Sequence, residues 1–216
     1  MGKIRVLSVV PYAGLNETIR KAAVEYPEID VDVLDGNLDS AVEQIQKIGV
    51  SQYDAIISRG GTAAAISEHV SIPVIKIGIS VYDFMRAIKL SENFSGKKAI
   101  VGFPSITQIA TKIVDDFSLM DIGIFTIQKR EEIDSLYDKL SAEGYRTIIG
   151  DVFAYDNVKD LSLNAVLLTS GYESVINAFE ETVHLFNNLQ YYQKQVKVLQ
   201  KAFHQIEQKS FRYLIL

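Results

Sequence analysis

Tyr53-Asp54-Ala55-Ile56-Ile57-Ser58-Arg59-Gly60-Gly61-Thr62-Ala63-Ala64-Ala65-Ile66 is the stretch on which the reading of this chain turns. The run Tyr53–Ile57 has the length and apolar content of a buried strand, and Ala63–Ile66 has those of a helix start. Two glycines at the junction let the backbone turn sharply and approach a ligand closely. Thr62 can cap the helix, whose first N–H groups form an anion site. Arg59 adds a planar fork suited to a carboxylate or phosphate. The same residues also suit an ordinary strand–helix turn with a surface arginine, a common feature of α/β folds.

The pattern repeats on either side. Strands are expected near 3–10, 30–35, 53–58, 72–78, 97–103, 121–127, 145–150 and 163–169. Helices are expected over 11–27, 37–49, 60–70, 80–92, 105–118, 129–143 and 152–161. Continuous runs such as Ile72–Ile77 suit strands covered on both faces, and alternation with helices implies a parallel sheet. An offset of 92 places Ile56-Ile57 on Ile148-Ile149, Val33 on Phe125 and Val74-Ile75 on Val166-Leu167. Two similar doubly wound α/β lobes follow. The expected division is residues 1–92 plus about 171–184 for lobe 1, 93–170 for lobe 2, and a C-terminal helix over 185–216. Ser80–Ser95 is expected to carry the chain between lobes.

Composition narrows the function. The 216 residues are 48% hydrophobic with a net charge of −5, and the absence of cysteine excludes disulfides, thiolate metal sites and thiol nucleophiles. An acidic chain without a basic stripe argues against nucleic-acid binding by this segment. No apolar run approaches membrane-spanning length, and the start lacks a secretory leader, so the cytoplasm is the expected location.

In open parallel sheets, ligands lie at the carboxyl ends of the strands. The strand-end residues expected to line a cleft are Pro11, Tyr12, Ser58, Arg59, Gly60, Gly61, Thr62, Ser80, Tyr82, Asp83, Phe103, Pro104, Gly150, Asp151, Ser170, Gly171 and Ser174. Glycines, small hydroxyls and one cation suit a small polar anion, although glycine and serine are also routine turn residues. His69, His184 and His204 show no metal-ligand spacing, and neither a P-loop nor a G-x-G-x-x-G follows a strand. Neither metal nor cofactor is expected. Asp83 and Asp151 are the only candidates for a general base, and both also suit helix caps.

From Tyr172 to Lys209 the chain has no proline or glycine and reads as one helix. Leu185, Leu189, Tyr192, Val196, Leu199, Phe203 and Ile206 alternate steps of four and three, the seam of a two-stranded coiled coil. The same stripe also suits a helix folded onto its own lobe. The apolar end Phe211–Leu216 carries no stop signal and is expected to lead into a further segment or to be a cut end.

The quoted stretch, with Val70-Ser71-Ile72-Pro73-Val74, Ser80-Val81-Tyr82-Asp83 and Arg86-Ala87, resembles the N-terminal sensory domain of propionate catabolism activators. Further matches are Ile4–Leu7, Pro11-Tyr12, Val101–Pro104, Ile149–Asp151, Ser170-Gly171 and Glu173-Ser174. The resemblance implies a periplasmic-binding-protein-like fold and a cytoplasmic sensor of a small anion such as 2-methylcitrate. It also implies AAA+ ATPase and helix-turn-helix modules downstream, as in sigma-54-dependent regulators. Val152-Phe153-Ala154-Tyr155-Asp156 is bulkier than that resemblance leads one to expect. Three functions follow as expectations. The first is a non-enzymatic sensory domain that signals through the C-terminal helix. The second is a small-carboxylate lyase or isomerase with Asp83 or Asp151 as base, and the third a dimerisation scaffold with an empty cleft.

Overall fold

The computed structural model describes residues 2–119, 121–158 and 163–214, with side chains described as far as Ile206. Residues 159–161 of the seventh expected helix and 215–216 of the final apolar run lie outside the described residues. In chain order the first lobe runs β1 (Ile4–Val10), α1 (Ala13–Ala23), β2 (Ile29–Asp35), α2 (Leu38–Ile48), β3 (Ala55–Arg59), α3 (Gly60–Ser67) and β4 (Val74–Ile77). Then come α4 (Val81–Ser91), β5 (Lys97–Gly102), α5 (Pro104–Asp116), β6 (Ile122–Thr126), a 3-10 turn (Arg130–Glu132), α6 (Ile133–Ala142), β7 (Tyr145–Gly150), α7 (Val152–Val158) and β8 (Asn164–Leu167). The last element is α8 (Tyr172–Leu214).

Two parallel four-stranded sheets result, ordered β2-β1-β3-β4 and β6-β5-β7-β8. All of β3 is buried, which is why Ala55-Ile56-Ile57 reads as a continuous apolar run rather than an alternation, with the polar Ser58 and Arg59 buried at its end. The strand registers confirm the internal repeat and correct it by one residue at the flanking strands. Ser8 pairs with Ile57 and Ile100 with Ile149, an offset of 92. Ile57 then pairs with Ile75 but Ile149 with Val166, and Ser8 with Val33 but Ile100 with Ile124. Val33 therefore corresponds to Ile124, and Ile75 to Val166. In the second lobe the first and third connections are one residue shorter and the second one residue longer, and the shift matters because a single step along a strand reverses its faces.

The helices exchange sheets. Helix α4 buries Phe84, Ala87 and Ile88 with Ile100, Ile149, Val166 and Leu168 of the second lobe. The chain therefore crosses between lobes at Gly78–Ser80, ahead of α4, and not through Ser80–Ser95 with a division at 92/93. Periodicity marks α4 as amphipathic but does not say which sheet takes its apolar face. The start of α8 makes the reverse crossing, burying Val175, Ala178 and Phe179 with Val6, Ile19 and Ile57 of the first lobe. Phe179 meets Tyr26 edge-on at 5.5 Å. Each such side chain contributes roughly 2 kcal/mol by removal from water.

Candidate functional site

The carboxyl ends of both sheets converge on a cavity of about 630 Å³. Pro11, Asn37, Leu38, Arg59–Thr62 and Lys76–Ile79 line it from the first lobe, and Phe103, Ile106, Ile109, Arg130, Asp151 and Phe153 from the second. That size lies within the range of small-molecule pockets.

Arg59 ends β3 and is only 4% exposed. Its Nη2 donates to the carbonyl of Leu168, its guanidinium carbon lies 5.5 Å from the centre of the Tyr12 ring, and its Nε is buried without a partner. Leaving a charged donor unsatisfied in this way costs about 1–3 kcal/mol, a penalty an incoming anion could relieve. Gly60 follows with φ of 54°, in the left-handed region that glycine enters freely. At Gly61 a Cβ would stand 3.1 Å from Leu38 Cδ2.

Thr62 does not cap α3, because the helix begins two residues earlier, with Arg59 at the cap position. The Thr62 hydroxyl instead donates to Asn37 Oδ1 at 2.8 Å and accepts from the Leu38 amide at 3.1 Å. These bonds hold Leu38 at φ 46°, unusual for a residue with a side chain. Both α3 and α5 begin without a side-chain cap, so their first N–H groups remain for a ligand or water. Helix α4 differs: the side chains of Ser80 and Asp83 close its start as a capping box.

Three cations line the cavity, Arg59, Lys76 and Arg130, with the carboxylates Glu68 and Asp151. Among the described residues none of the three cations has a carboxylate within 4.0 Å. Arg130 lies over the Phe153 ring at 5.8 Å, and Phe153 meets Phe103 at 5.7 Å. Asp151 Oδ1 accepts from the Ala154 amide at the start of α7. Among the described residues no group of three or more His, Asp or Glu could hold a metal ion, and no helix is long and apolar enough to cross a membrane.

Residues 26–190 match the sequence profile of the propionate catabolism activator family. The chain belongs to that family. The crystal structure of an NtrC family transcriptional regulator from Clostridium acetobutylicum is similar in fold, with a TM-score of 0.71 at 24% identity over 86% of this chain and 97% of that one. More remote likenesses are an ABC transporter solute binding protein from Clostridium phytofermentas with bound L-rhamnose (TM-score 0.43, 11% identity, 87% and 82% covered) and a LacI family transcriptional regulator from Mycobacterium smegmatis (0.43, 10%, 81% and 88%). At those scores the likeness is too distant to bear on this chain.

In this propionate catabolism activator domain the strand-end residues divide into two groups. Pro11, Arg59, Gly60, Gly61, Thr62, Phe103 and Asp151 line the cavity. The others have different duties. The Ser58 hydroxyl donates to the Val9 carbonyl inside the first sheet, and Tyr82 is 65% exposed. Pro104 occupies the first turn of α5, and a Cβ on Gly150 would collide with Ala154 and the Val101 carbonyl. Tyr12, Ser80, Asp83, Ser170, Gly171 and Ser174 build the double crossing between lobes. There the Ser170 amide donates to the Tyr12 hydroxyl and the Ser170 hydroxyl to the Gly78 carbonyl, each at 2.8 Å. Asp83 accepts from the Ser80 and Gly171 amides, the Ser174 hydroxyl and Arg86 Nη2. Burial alone would raise its pKa, but the bonds from Ser174, Ser80, Arg86 and Gly171 outweigh that and hold it below the ordinary aspartate value.

Lys76, Arg130, Asn37 and the apolar wall of Phe153 and Ile109 escaped the strand-end reading. Lys76 sits inside β4, where its neighbours suggest only a buried strand. Asn37 and Arg130 follow the outer strands β2 and β6, whose ends carry no paired glycines to mark a ligand-binding turn. They lie 93 residues apart, in the segments that follow corresponding strands of the internal repeat but one or two positions out of its register.

Proposed function

We propose that this domain senses a small organic anion in the inter-lobe cavity and transmits its binding through α8 within a cytoplasmic transcription regulator. The observation that carries this reading is Arg59, a cation 4% exposed, incompletely bonded and set in the wall of a cavity of about 630 Å³. Its position supports a sensing role as well as a binding one. Arg59 belongs to the first sheet and bonds Leu168, where the chain begins its return crossing. An anion at Arg59 therefore acts next to the junction that governs lobe orientation. Differential affinity for the closed state supplies the energy of the switch.

Family membership favours regulation over catalysis. The enzyme reading also loses one of its bases: Asp83 has both oxygens occupied, a lowered pKa and no place in the cavity lining. The second base candidate, Asp151, holds the start of α7. Beyond Leu189 the α8 stripe is exposed, which supports its pairing with a second copy and its continuation toward downstream modules.

The test is a melting screen against organic acids, with calorimetry on any hit and product analysis of the same mixtures. Saturable stabilisation without conversion is expected. Conversion of a stabilising acid would return the domain to the enzymes, and the absence of any stabilising acid would leave a scaffold.

A further inference from the structure

The two walls of the cavity differ in chemistry, and the difference bears on which anion fits. The first-lobe wall carries the charge-binding features: the buried, incompletely bonded Arg59 and the uncapped start of α3. The second-lobe wall also holds Arg130 and Asp151, but most of its lining is apolar: Phe103, Ile106, Ile109, Val152 and Phe153. Phe103 and Phe153 meet at 5.7 Å, and Ile109, 36% exposed on α5, lines the same cavity. Exposed aliphatic and aromatic surface inside a concave site is removed from water only by an occupant that is itself apolar.

Charge points the same way. Arg59, Lys76 and Arg130 are opposed by Glu68 and Asp151, so the lining carries a formal balance of one positive charge. Arg130 is already stacked on Phe153. A tricarboxylate would bring three charges to a site with a surplus of one. It would also desolvate at least one carboxylate against phenyl rings, with a carboxylate of the protein nearby. A single head group at Arg59 meets none of these penalties.

We propose that the ligand is a monocarboxylic acid with an aromatic body, its carboxylate at Arg59 and the α3 start and its ring between Phe103, Phe153 and Ile109. This rests on the sensing function proposed above and narrows it. The ring then completes an aromatic cluster in offset or edge-on contact, a geometry aromatic groups favour. The apolar contact also crosses from one lobe to the other, so the body of the ligand favours lobe closure.

Three probes decide the matter by calorimetry on the full chain: 3-phenylpropionate, its neutral amide and citrate. Binding of 3-phenylpropionate at least roughly tenfold tighter than of citrate or of the amide is expected. Ile109→Asn and Phe153→Leu, at positions not fully buried, should weaken 3-phenylpropionate by roughly tenfold and leave any citrate binding unchanged. Citrate binding equal to or tighter than 3-phenylpropionate, or indifference of 3-phenylpropionate to both substitutions, overturns the aromatic-acid assignment while the sensory function stands. Failure of these probes and of the wider acid screen to bind overturns both.

Discussion

The hydroxyl of Ser174 donates to the carboxylate of Asp83 at 2.6 Å, tying the first turn of a helix packed on the first sheet to that of a helix packed on the second. The two residues lie 91 positions apart and occupy matching places in the internal repeat. Around them Gly78 meets Ser170, also through a direct hydrogen bond. The junction is thus built from two copies of one strand-to-helix turn, each sending its helix to the opposite lobe. Gly171 is confined here by its neighbours, because a Cβ would lie 2.0 Å from Arg86 Nη2.

Replacing Asp83 by alanine should therefore act on stability. It leaves the Ser80 and Gly171 amides and the Ser174 hydroxyl without their acceptor. Arg86, half exposed and still paired with Glu173, adds little. A loss of about 3 kcal/mol is expected, or a fall in Tm of roughly 6–12 °C for a chain of this size. The pH dependence follows from the lowered pKa. The unfolded carboxyl titrates near 3.8 and the folded one lower, so its contribution is complete above that value and is lost as pH falls through the folded pKa. Melting curves across pH should show a constant gap between parent and Asp83→Ala at neutral pH that closes only below about pH 4. A gap that closes nearer neutrality would contradict the lowered pKa.

Arg59→Met should separate binding from folding. It keeps length and burial while removing a charge whose Nε has no partner, so the lost bond to Leu168 is offset by relief of desolvation. Tm should change little, while affinity for a stabilising acid falls by about 1.5–3 kcal/mol, the scale of charge-assisted hydrogen bonds. Calorimetry beside melting curves checks both halves. Unaltered affinity would remove Arg59 from the site.

The paired glycines should behave differently from each other. Gly60 holds φ of 54°, so Gly60→Ala forces a side chain into the left-handed region and should lower stability by about 1–2 kcal/mol. Gly61→Val meets only the flexible end of Leu38, which can yield into the cavity. Its effect should fall on ligand affinity more than on Tm. Equal effects of Gly61→Val on both would mark the turn as purely structural.

Much of this architecture was legible because buried parallel strands announce themselves as short Ile/Val runs. Tyr145–Gly150 reads as the strand it forms, and Ala55–Arg59 differs from its expected bounds by two residues at the start and one at the end. The place of Arg59 at the end of a strand that opens on the cavity was legible, because an apolar run followed by Arg and two glycines marks a strand–helix turn, although its burial was not. The return of 171–184 to the first lobe was expected, but the passage of α4 to the second sheet was not, since apolar periodicity records how much of a helix is buried and not against what. For the same reason Asp83, Ser170 and Ser174 read as cleft residues: a strand end that opens on a cavity and one that starts a crossing carry the same glycines and hydroxyls. Lys76 and Phe153 reach the cavity only through the meeting of two lobes, a relation between distant residues that local pattern does not encode.

The C-terminal helix carries the remaining prediction. Its seam changes character along its length. Leu185 packs partly against the first-lobe core, with Val183 and Phe186, and so belongs to that lobe rather than to a free seam. From Leu189 onward the stripe is open: Leu189 is 40% exposed, Tyr192 65%, Val196 51%, Leu199 57%, Phe203 67% and Ile206 60%. These positions still alternate steps of three and four, too narrow a stripe for a helix that wraps its own domain. A parallel pair would cover them and set both lobe pairs at one end of the coil. Less than three heptads make a modest dimer, and Tyr192 in the seam weakens it further. Sedimentation equilibrium of the full chain should show concentration-dependent dimerisation, abolished by Leu199→Asp with Phe203→Asp. Both residues are more than half exposed, so Tm of the lobe transition should hold. A monomeric parent, or a dimer indifferent to both aspartates, would leave the seam without a second copy as its partner.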